Sequence, residues 1–430
     1  MSKLSPLVIG LAGFGTVGSG LAEALRLNHE LIRARIGRDI RIKTVLVRDL
    51  KKTRAYALPE GAGVTVNPDE LTNDPEIDIL VELIGGKELA CDLISDALHA
   101  GKNVVTANKA LLAEKGTELF NLAAEKNLGL AFEASVCGAI PILQVLRESL
   151  AGNRINSVMG ILNGTSNYIL SEMSEKGMPF ETALKEAQAK GYAEADPTFD
   201  IEGVDAAHKL TLLIRMAFGV DYPFSALGIQ GISEVNPEDI AFARELGFRI
   251  KLLGQARCID GKIEAGVYPT LVPQNMQIAS TDGVFNAVQV EANAAGPVFM
   301  HGRGAGGLAT ASAVLGDILE IARCGKPNNT GFIDQHLPAA VIMPSDEAIS
   351  QHYLHLMVSD KPGVLRDLAG ALAEQGVSVA QAIQKDQGNS HVPIVFLTHE
   401  APAKSINNAL ALMQSKQLLG HKPVHYRVLK

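Results

Sequence analysis

The sequence predicts an α/β chain in three parts, and three observations carry that prediction. Over residues 1–145, near-continuous apolar runs alternate with amphipathic helix patterns, as in a parallel sheet covered on both faces. Residues 146–340 mix helices with strands, as an α+β segment does. From residue 349 to 430 the pattern changes to βαββαβ, the ferredoxin-like plan.

In the first part, LVIGLAGFG, IKTVLVRD, IDILVELIG, NVVTAN and GLAFEAS read as successive strands. In the middle part, HGRGAGGLATASAVLGDILE begins as a loop and ends as a helix, and residues 305–340 are expected to return to the first part. In the last part HYLHLMVS is a strand, GVLRDLAGALAEQG a helix, VSVAQAIQ and VPIVFLTH a strand pair, INNALALMQS a helix and HYRVL a strand. No internal repeat is evident.

A chain of 430 residues exceeds one ordinary domain, so two or three are expected. Nearly half its residues are apolar, enough for a large core. The formal charge of −8 disfavours nucleic acid as a partner, because polyanion binding needs a basic surface. Cys91, Cys137, Cys258 and Cys324 show neither metal-ligand spacing nor disulfide density. The N-terminus runs straight into a strand pattern and no apolar stretch is long enough to cross a bilayer, so no membrane partner and a soluble, cytoplasmic protein are expected.

Gly13-Phe14-Gly15-Thr16-Val17-Gly18 follows a strand and opens a helix pattern, the context that a dinucleotide fingerprint requires. Gly13 permits the tight turn, Gly15 lets a pyrophosphate approach the backbone, and Gly18 lets helix and strand pack closely. The helix N-terminus offers N–H groups and partial positive charge to the phosphates. The first part therefore reads as a Rossmann-type NAD(P)-binding domain. Beyond the second strand stand Arg48, Asp49, Lys51 and Lys52. A guanidinium there suits a 2′-phosphate and an acid suits ribose hydroxyls. The cluster leans towards NADP and leaves NAD possible.

Residues 187–209, AQAKGYAEADPTFDIEGVDAAHK, carry the densest chemistry. Asp205 and Lys209 stand four apart at the start of a helix pattern, so both project from one face. Glu194 lies one short loop upstream, and Pro197 marks the turn. A carboxylate beside an ammonium can hold an amino-acid substrate and supply a proton. The following run, LTLLIRMAF, would draw that helix into a core rather than leave an exposed ion pair.

The spaced pattern Gly191, Asp196-Pro197, Asp200, Gly203, Asp205 and Lys209 resembles the signature of homoserine dehydrogenases, and the resemblance extends over nearly the whole chain. It implies reversible reduction of L-aspartate 4-semialdehyde to L-homoserine, in threonine, methionine and isoleucine biosynthesis. By the same resemblance Lys209 is the proton donor and Glu194 and Asp205 bind substrate. Lys109, in Thr106-Ala107-Asn108-Lys109, lies near nicotinamide and substrate, and Gly191 and Gly306 join the cofactor contacts. The stretch from Glu133 to Pro141 is similar to the family's monovalent-cation loop, which implies a sodium ion on Glu133 and the carbonyls of Val136, Gly138 and Ile140. Cys137 within it is read as a packed small residue; its alternative is a thioester nucleophile, as in an aspartate-semialdehyde dehydrogenase. Asp360-Lys361-Pro362-Gly363-Val364-Leu365 makes the last part resemble an ACT domain, which implies L-threonine as a feedback regulator. The family also implies a homo-dimer or homo-tetramer.

Arg48→Ala is expected to weaken NADP binding more than NAD binding. A hydrogen bond to a charged group is worth about 1.5–3 kcal/mol, roughly ten- to a hundredfold in affinity. Titrations with both cofactors check this, and equal losses for the two would remove Arg48 from phosphate recognition.

Overall fold

The computed structural model describes residues 5–51, 56–325, 329–385 and 391–430, so Lys52 of the charge cluster lies outside the described residues. The chain forms two compact units. One comprises Met1–Val158, His208–Ala226 and Asn286–Ala340; the other comprises Met159–Ala207, Leu227–Phe285 and Val341–Lys430.

The first unit holds a parallel sheet of β1 (Leu7–Ala12), β2 (Ile40–Leu46), β3 (Gly63–Thr65), β4 (Ile79–Glu82), β5 (Asn103–Thr106) and β6 (Leu130–Ala131). Their order is β3-β2-β1-β4-β5-β6, all neighbours parallel. The order reverses between β1 and β4, the switch point where nucleotides bind in doubly wound sheets. Ile9, Leu11, Val45, Ile79, Val81 and Val105 form the sheet's share of a core completed by Leu21, Ala24, Val314, Ile318 and Ile321 from helices. The helix Gly307–Cys324, from late in the chain, thus returns to the sheet beside helix Thr16–Leu27. The expected strand GLAFEAS shrinks to two residues. The Glu133 amide donates to the Asp317 carboxylate at 2.9 Å instead of continuing a ladder, and residues Glu133–Ser135 coil into a 3₁₀ turn. The three-residue β3 was not foreseen.

The later strands are β7 (Ile155–Ile161), β8 (Gly228–Ile229), β9 (Phe248–Ile259), β10 (Lys262–Pro273), β11 (Phe285–Ala292), β12 (Gly296–Arg303), β13 (Ile349–Ser359), β14 (Val379–Gln384), β15 (His391–Thr398), β16 (Ala401–Pro402) and β17 (Val424–Val428). In the second unit, β9 and β10 form a hairpin in continuous antiparallel register. Its two-residue turn is Asp260-Gly261, both left-handed at φ 49° and 79°, matching the strands' right-handed twist.

The order continues β10-β17-β13-β15-β14. β17 lies parallel to β10, Thr270 beside Arg427 and Leu271 beside Val428. The four strands β17-β13-β15-β14, with helices Val364–Glu374 and Ala403–Ser415, make the ferredoxin-like module. Leu354, Leu356, Val358, Leu368, Phe396, Ile406 and Met413 fill its core. Helix Val204–Phe218 is as buried as its apolar run requires: Leu210, Leu213 and Ile214 are inaccessible to solvent. Among the described residues, no helix is long and apolar enough to cross a membrane.

Candidate active site

The glycine fingerprint closes the β1-to-helix turn. Gly13 sits at φ 98°, where a Cβ would meet the Leu83 carbonyl oxygen at 2.6 Å; a Cβ on Gly18 would collide with the Gly13 carbonyl oxygen. At Gly15, by contrast, an added Cβ would meet nothing within 4 Å. That open space fronts the first turn of helix Thr16–Leu27, which has no side-chain cap. These residues fit a dinucleotide pyrophosphate: the uncapped first-turn donors border open space that a side chain on Gly15 would fill. Phe14 is buried and Thr16 exposed at the mouth. Gly306, at the start of helix Gly307–Cys324, comes to the same place, for a Cβ on Gly307 would meet the Thr16 carbonyl oxygen at 2.9 Å. Arg48 and Asp49 lie exposed just beyond β2; the Asp49 carboxylate accepts the Lys51 amide at 2.8 Å.

Glu82, a residue the sequence reading passed over, organises the adjoining strand ends. It ends β4, fully buried, and accepts from the Ile84 and Gly85 amides at 2.9 and 3.1 Å and from the Thr106 hydroxyl at 2.6 Å. Burial pushes its carboxyl above the usual range, while these donors pull the other way. Thr106 Oγ1 in turn accepts the Asn108 amide at 3.0 Å. Asn108 donates to the Gly86 carbonyl at 2.7 Å and caps helix Lys109–Lys126 by accepting the Leu111 amide. Lys109 is therefore the first helical residue, half-buried, on a backbone fixed from both sides.

Helix Val204–Phe218 meets that same helix in the first unit. His208 Nε2 lies 3.1 Å from Glu114 Oε1, and its ring stacks on Phe224 with centroids 4.6 Å apart. Burial alone would raise the Glu114 carboxyl, but hydrogen bonds from Lys87 and His208 hold it below the usual range. Farther along, the Arg215 guanidinium lies 4.1 Å from the Phe120 ring centroid. Lys209 follows His208 directly and is 8% exposed. It is no solvated surface lysine.

In the second unit, one asparagine gathers the acids. The Asn163 amide donates to Asp200 Oδ1 at 2.7 Å and to Asp205 Oδ2 at 2.8 Å. Its Oδ1 accepts the Ser166 amide at 2.8 Å and so caps helix Gly164–Lys176. Ser166 Oγ donates to the Asp200 carbonyl at 2.7 Å. Asp205 is as buried as Lys209. Glu194, by contrast, is exposed, and among the described residues its carbonyl is what is engaged, accepting from Gln188 at 3.1 Å. Gly191 follows helix Phe180–Ala189, its amide donating to the Gln188 carbonyl. The geometry thus joins Asp200 to Asp205 and leaves Glu194 outside their hydrogen-bonded group. Asn163 was missed, although Asn-Gly-Thr-Ser after an apolar strand is a helix-start pattern.

Residues 133–138 and Ile140 of the Glu133–Pro141 loop are buried, and the loop lies beside the Gly307–Cys324 helix of its own unit. Glu133 accepts the Leu143 and Gln144 amides at 2.9 and 2.7 Å, yet burial pushes its carboxyl up to about 7. The fully buried Asp317 is raised well above its usual range by burial and by Glu133. Backbone hydrogen bonds engage the carbonyls of Glu133, Cys137 and Ile140; among the described residues they leave those of Val136 and Gly138. A buried carboxylate held near neutrality, with carbonyl oxygens close in sequence, fits a monovalent cation. No group of three or more His, Cys, Asp or Glu among the described residues is placed to hold a metal ion. Cys137 is fully buried, as a packed residue would be.

Comparison with known proteins bears on all three parts of the chain. The family model for the homoserine dehydrogenase NAD-binding domain matches residues 13–133, that for homoserine dehydrogenase residues 141–319, and that for the ACT domain residues 352–415. A homoserine dehydrogenase of Neisseria gonorrhoeae is 46% identical over 430 residues, covering 98% of each chain. The crystal structure of a homoserine dehydrogenase from Thiobacillus denitrificans superposes with a TM-score of 0.95 at 44% identity, covering 100% of this chain and 99% of that one. A hyperthermophilic archaeal homoserine dehydrogenase in complex with NADPH matches at a TM-score of 0.63 and 30% identity, over 76% of this chain and 99% of that one. With a nucleotide cradle, a buried acid–lysine helix and relatives that match end to end, the chain belongs to the homoserine dehydrogenase family of oxidoreductases.

Proposed function

We propose that this homoserine dehydrogenase interconverts L-aspartate 4-semialdehyde and L-homoserine with Lys209 as the proton donor. The observation that carries the reading is the burial of Asp205 and Lys209, one turn apart on helix Val204–Phe218. A nicotinamide cofactor, when bound, supplies the hydride for reduction and accepts it in reverse. Lys209 gives its proton to the carbonyl oxygen as that oxygen becomes a hydroxyl, and takes it back during oxidation. Lys109 polarises the same oxygen, its backbone preset by the Asn108 cap. Asp205 and Glu194 take the substrate ammonium. Glu194 is supported by the family resemblance alone, since its side chain lies exposed.

Gly13, Phe14, Gly15, Thr16, Val17, Gly18 and Gly306 hold the dinucleotide, with Gly191 and Lys109 carried over from the family. Arg48 favours NADP, and the archaeal relative in complex with NADPH supports that choice; NAD remains a substrate on the strength of Asp49. Glu133 and the carbonyls of Val136, Gly138 and Ile140 would hold sodium, whose charge would stabilise the buried carboxylate. The enzyme serves threonine, methionine and isoleucine biosynthesis as a cytoplasmic homo-dimer or homo-tetramer. Its ACT domain binds L-threonine as a feedback inhibitor.

Initial rates with homoserine and each cofactor test the assignment, and Lys209→Ala tests the mechanism. The variant is expected to lose ~10²–10⁴ in kcat while keeping cofactor affinity and fold. Near-normal turnover would remove Lys209 from the chemistry.

The regulatory reading is tested on the full chain, because β17 completes the edge of β10 and a chain ending near Ser345 would strip it. Calorimetry is expected to show threonine binding, and threonine should shift homoserine affinity by a coupling of ~1–3 kcal/mol. A full-length enzyme that neither binds threonine nor slows in its presence would make the ACT domain an assembly element.

A further inference from the structure

The ACT domain meets helix Pro237–Glu245 of its own unit through one buried carboxylate. Asp239 is fully buried, and its Oδ1 accepts the Tyr353 hydroxyl at 2.8 Å and His355 Nδ1 at 2.7 Å. Tyr353 and His355 are two apart on β13 and share one face of the strand. The next turn of the helix adds a second contact. Phe242 meets the His355 ring edge-on at 5.4 Å, and the Lys385 ammonium lies 4.7 Å from the Phe242 ring centroid and pairs with Glu245.

The start of this helix, where Asp239 sits, leads towards Asp200 and Asp205. Asn236 caps it by accepting the Asp239 amide at 2.8 Å, so the same residue that receives β13 also fixes the helix start. Just before the cap, Ile232 donates its amide to the Ile201 carbonyl at 2.8 Å, and Ser233 bonds the Glu202 carboxylate. Gly231 lies so close to the Ile201 carbonyl and Glu202 that a Cβ would collide with both. Ile201, Glu202 and Gly203 are part of the four-residue link between Asp200 and Asp205, the two carboxylates that Asn163 holds.

The junction is also under-satisfied. Asp239 Oδ2, His355 Nε2 and the Tyr426 hydroxyl are buried without a hydrogen-bond partner among the described residues, and His355 Nε2 stands 4.0 Å from the Glu238 carboxylate. A buried charge with part of its hydrogen-bonding capacity unused adds little net stability, and a small displacement can re-pair its neighbours. Such a contact suits a coupling element better than a simple clamp.

We propose that Asp239 is a positioning residue that couples effector binding on the ACT domain to Asp205, the substrate-binding acid that Asn163 holds together with Asp200. A shift of β13 is felt at Asp239 through Tyr353 and His355. The helix start moves with Asp239, and the Gly231–Ser233 turn passes the change to Ile201 and Glu202. The two ends of this connection are then two biases on one packed element. The inference rests on the regulatory reading above and adds the route by which the effector acts.

The test uses full-length wild type, Asp239→Asn and Tyr353→Phe, with threonine as the probe. Threonine binding is measured by calorimetry, and kcat and KM for homoserine are measured with and without threonine. Both variants are expected to bind threonine within roughly threefold of wild type and to keep uninhibited kcat. The threonine effect on homoserine KM should fall at least ~5-fold in each, the lower end of ordinary allosteric coupling. Variants that bind and respond as wild type does overturn the inference and leave the regulatory reading standing. Absence of threonine binding by the wild type overturns both. Tyr353→Phe removes a single hydroxyl, so it decides the matter if Asp239→Asn does not fold.

Discussion

The bidentate grip of Asn163 on Asp200 and Asp205 is the contact on which the start of helix Val204–Phe218, the proposed substrate end, depends. A buried carboxylate beside a half-buried one repels it and loses its own hydration, so donors must be supplied in place. One amide NH₂ supplies both, while the same side chain's oxygen caps helix Gly164–Lys176. A strand end, a helix start, the signature loop and the start of helix Val204–Phe218 are thereby tied to a single buried side chain. Asp205 is held in this way, and Lys209 one turn later inherits its position from the same helix.

The nucleotide end solves a parallel problem with Glu82. A carboxylate at the end of a buried strand collects two amides and the Thr106 hydroxyl, and Thr106 passes the constraint to Asn108 and so to Lys109. Glu133 does the same for its loop with the Leu143 and Gln144 amides. In each case a buried acid organises backbone that would otherwise be free to choose among loop conformations. These groups are expensive to bury and add little net stability; what they give is a defined backbone geometry around them.

Much of this was legible in the sequence because periodicity and spacing report backbone needs directly. The apolar runs marked β1, β2, β4 and β5, and the βαββαβ order marked the ACT domain, since both patterns follow from which faces must be covered. Glycines 13 and 18 announced a close approach that the backbone shows, and at Gly15 the backbone borders open space. The acid–lysine spacing marked a helix, and the apolar run after it marked that helix as buried. Side-chain partnerships across long sequence separations were not legible. Asn163 finds Asp205 forty-two residues later, and nothing local in either segment specifies the pairing. Glu82 was visible as an acid inside an apolar strand, which requires donors, but their identity depends on how β5 lies beside β4. β6 was overextended for a similar reason: the partner that ends it, Asp317, is 184 residues away.

The most direct measurement is a double-mutant cycle between Asn163→Ala and Asp205→Asn, read as kcat/KM for homoserine. If Asn163 acts by holding Asp205, removing either partner removes the same constraint and the double variant loses far less than the sum. The expected interaction is roughly 0.5–3 kcal/mol. Losses that add to within about 0.3–0.5 kcal/mol would show that the two residues act independently, and the Asn163 clamp would not be what positions Asp205.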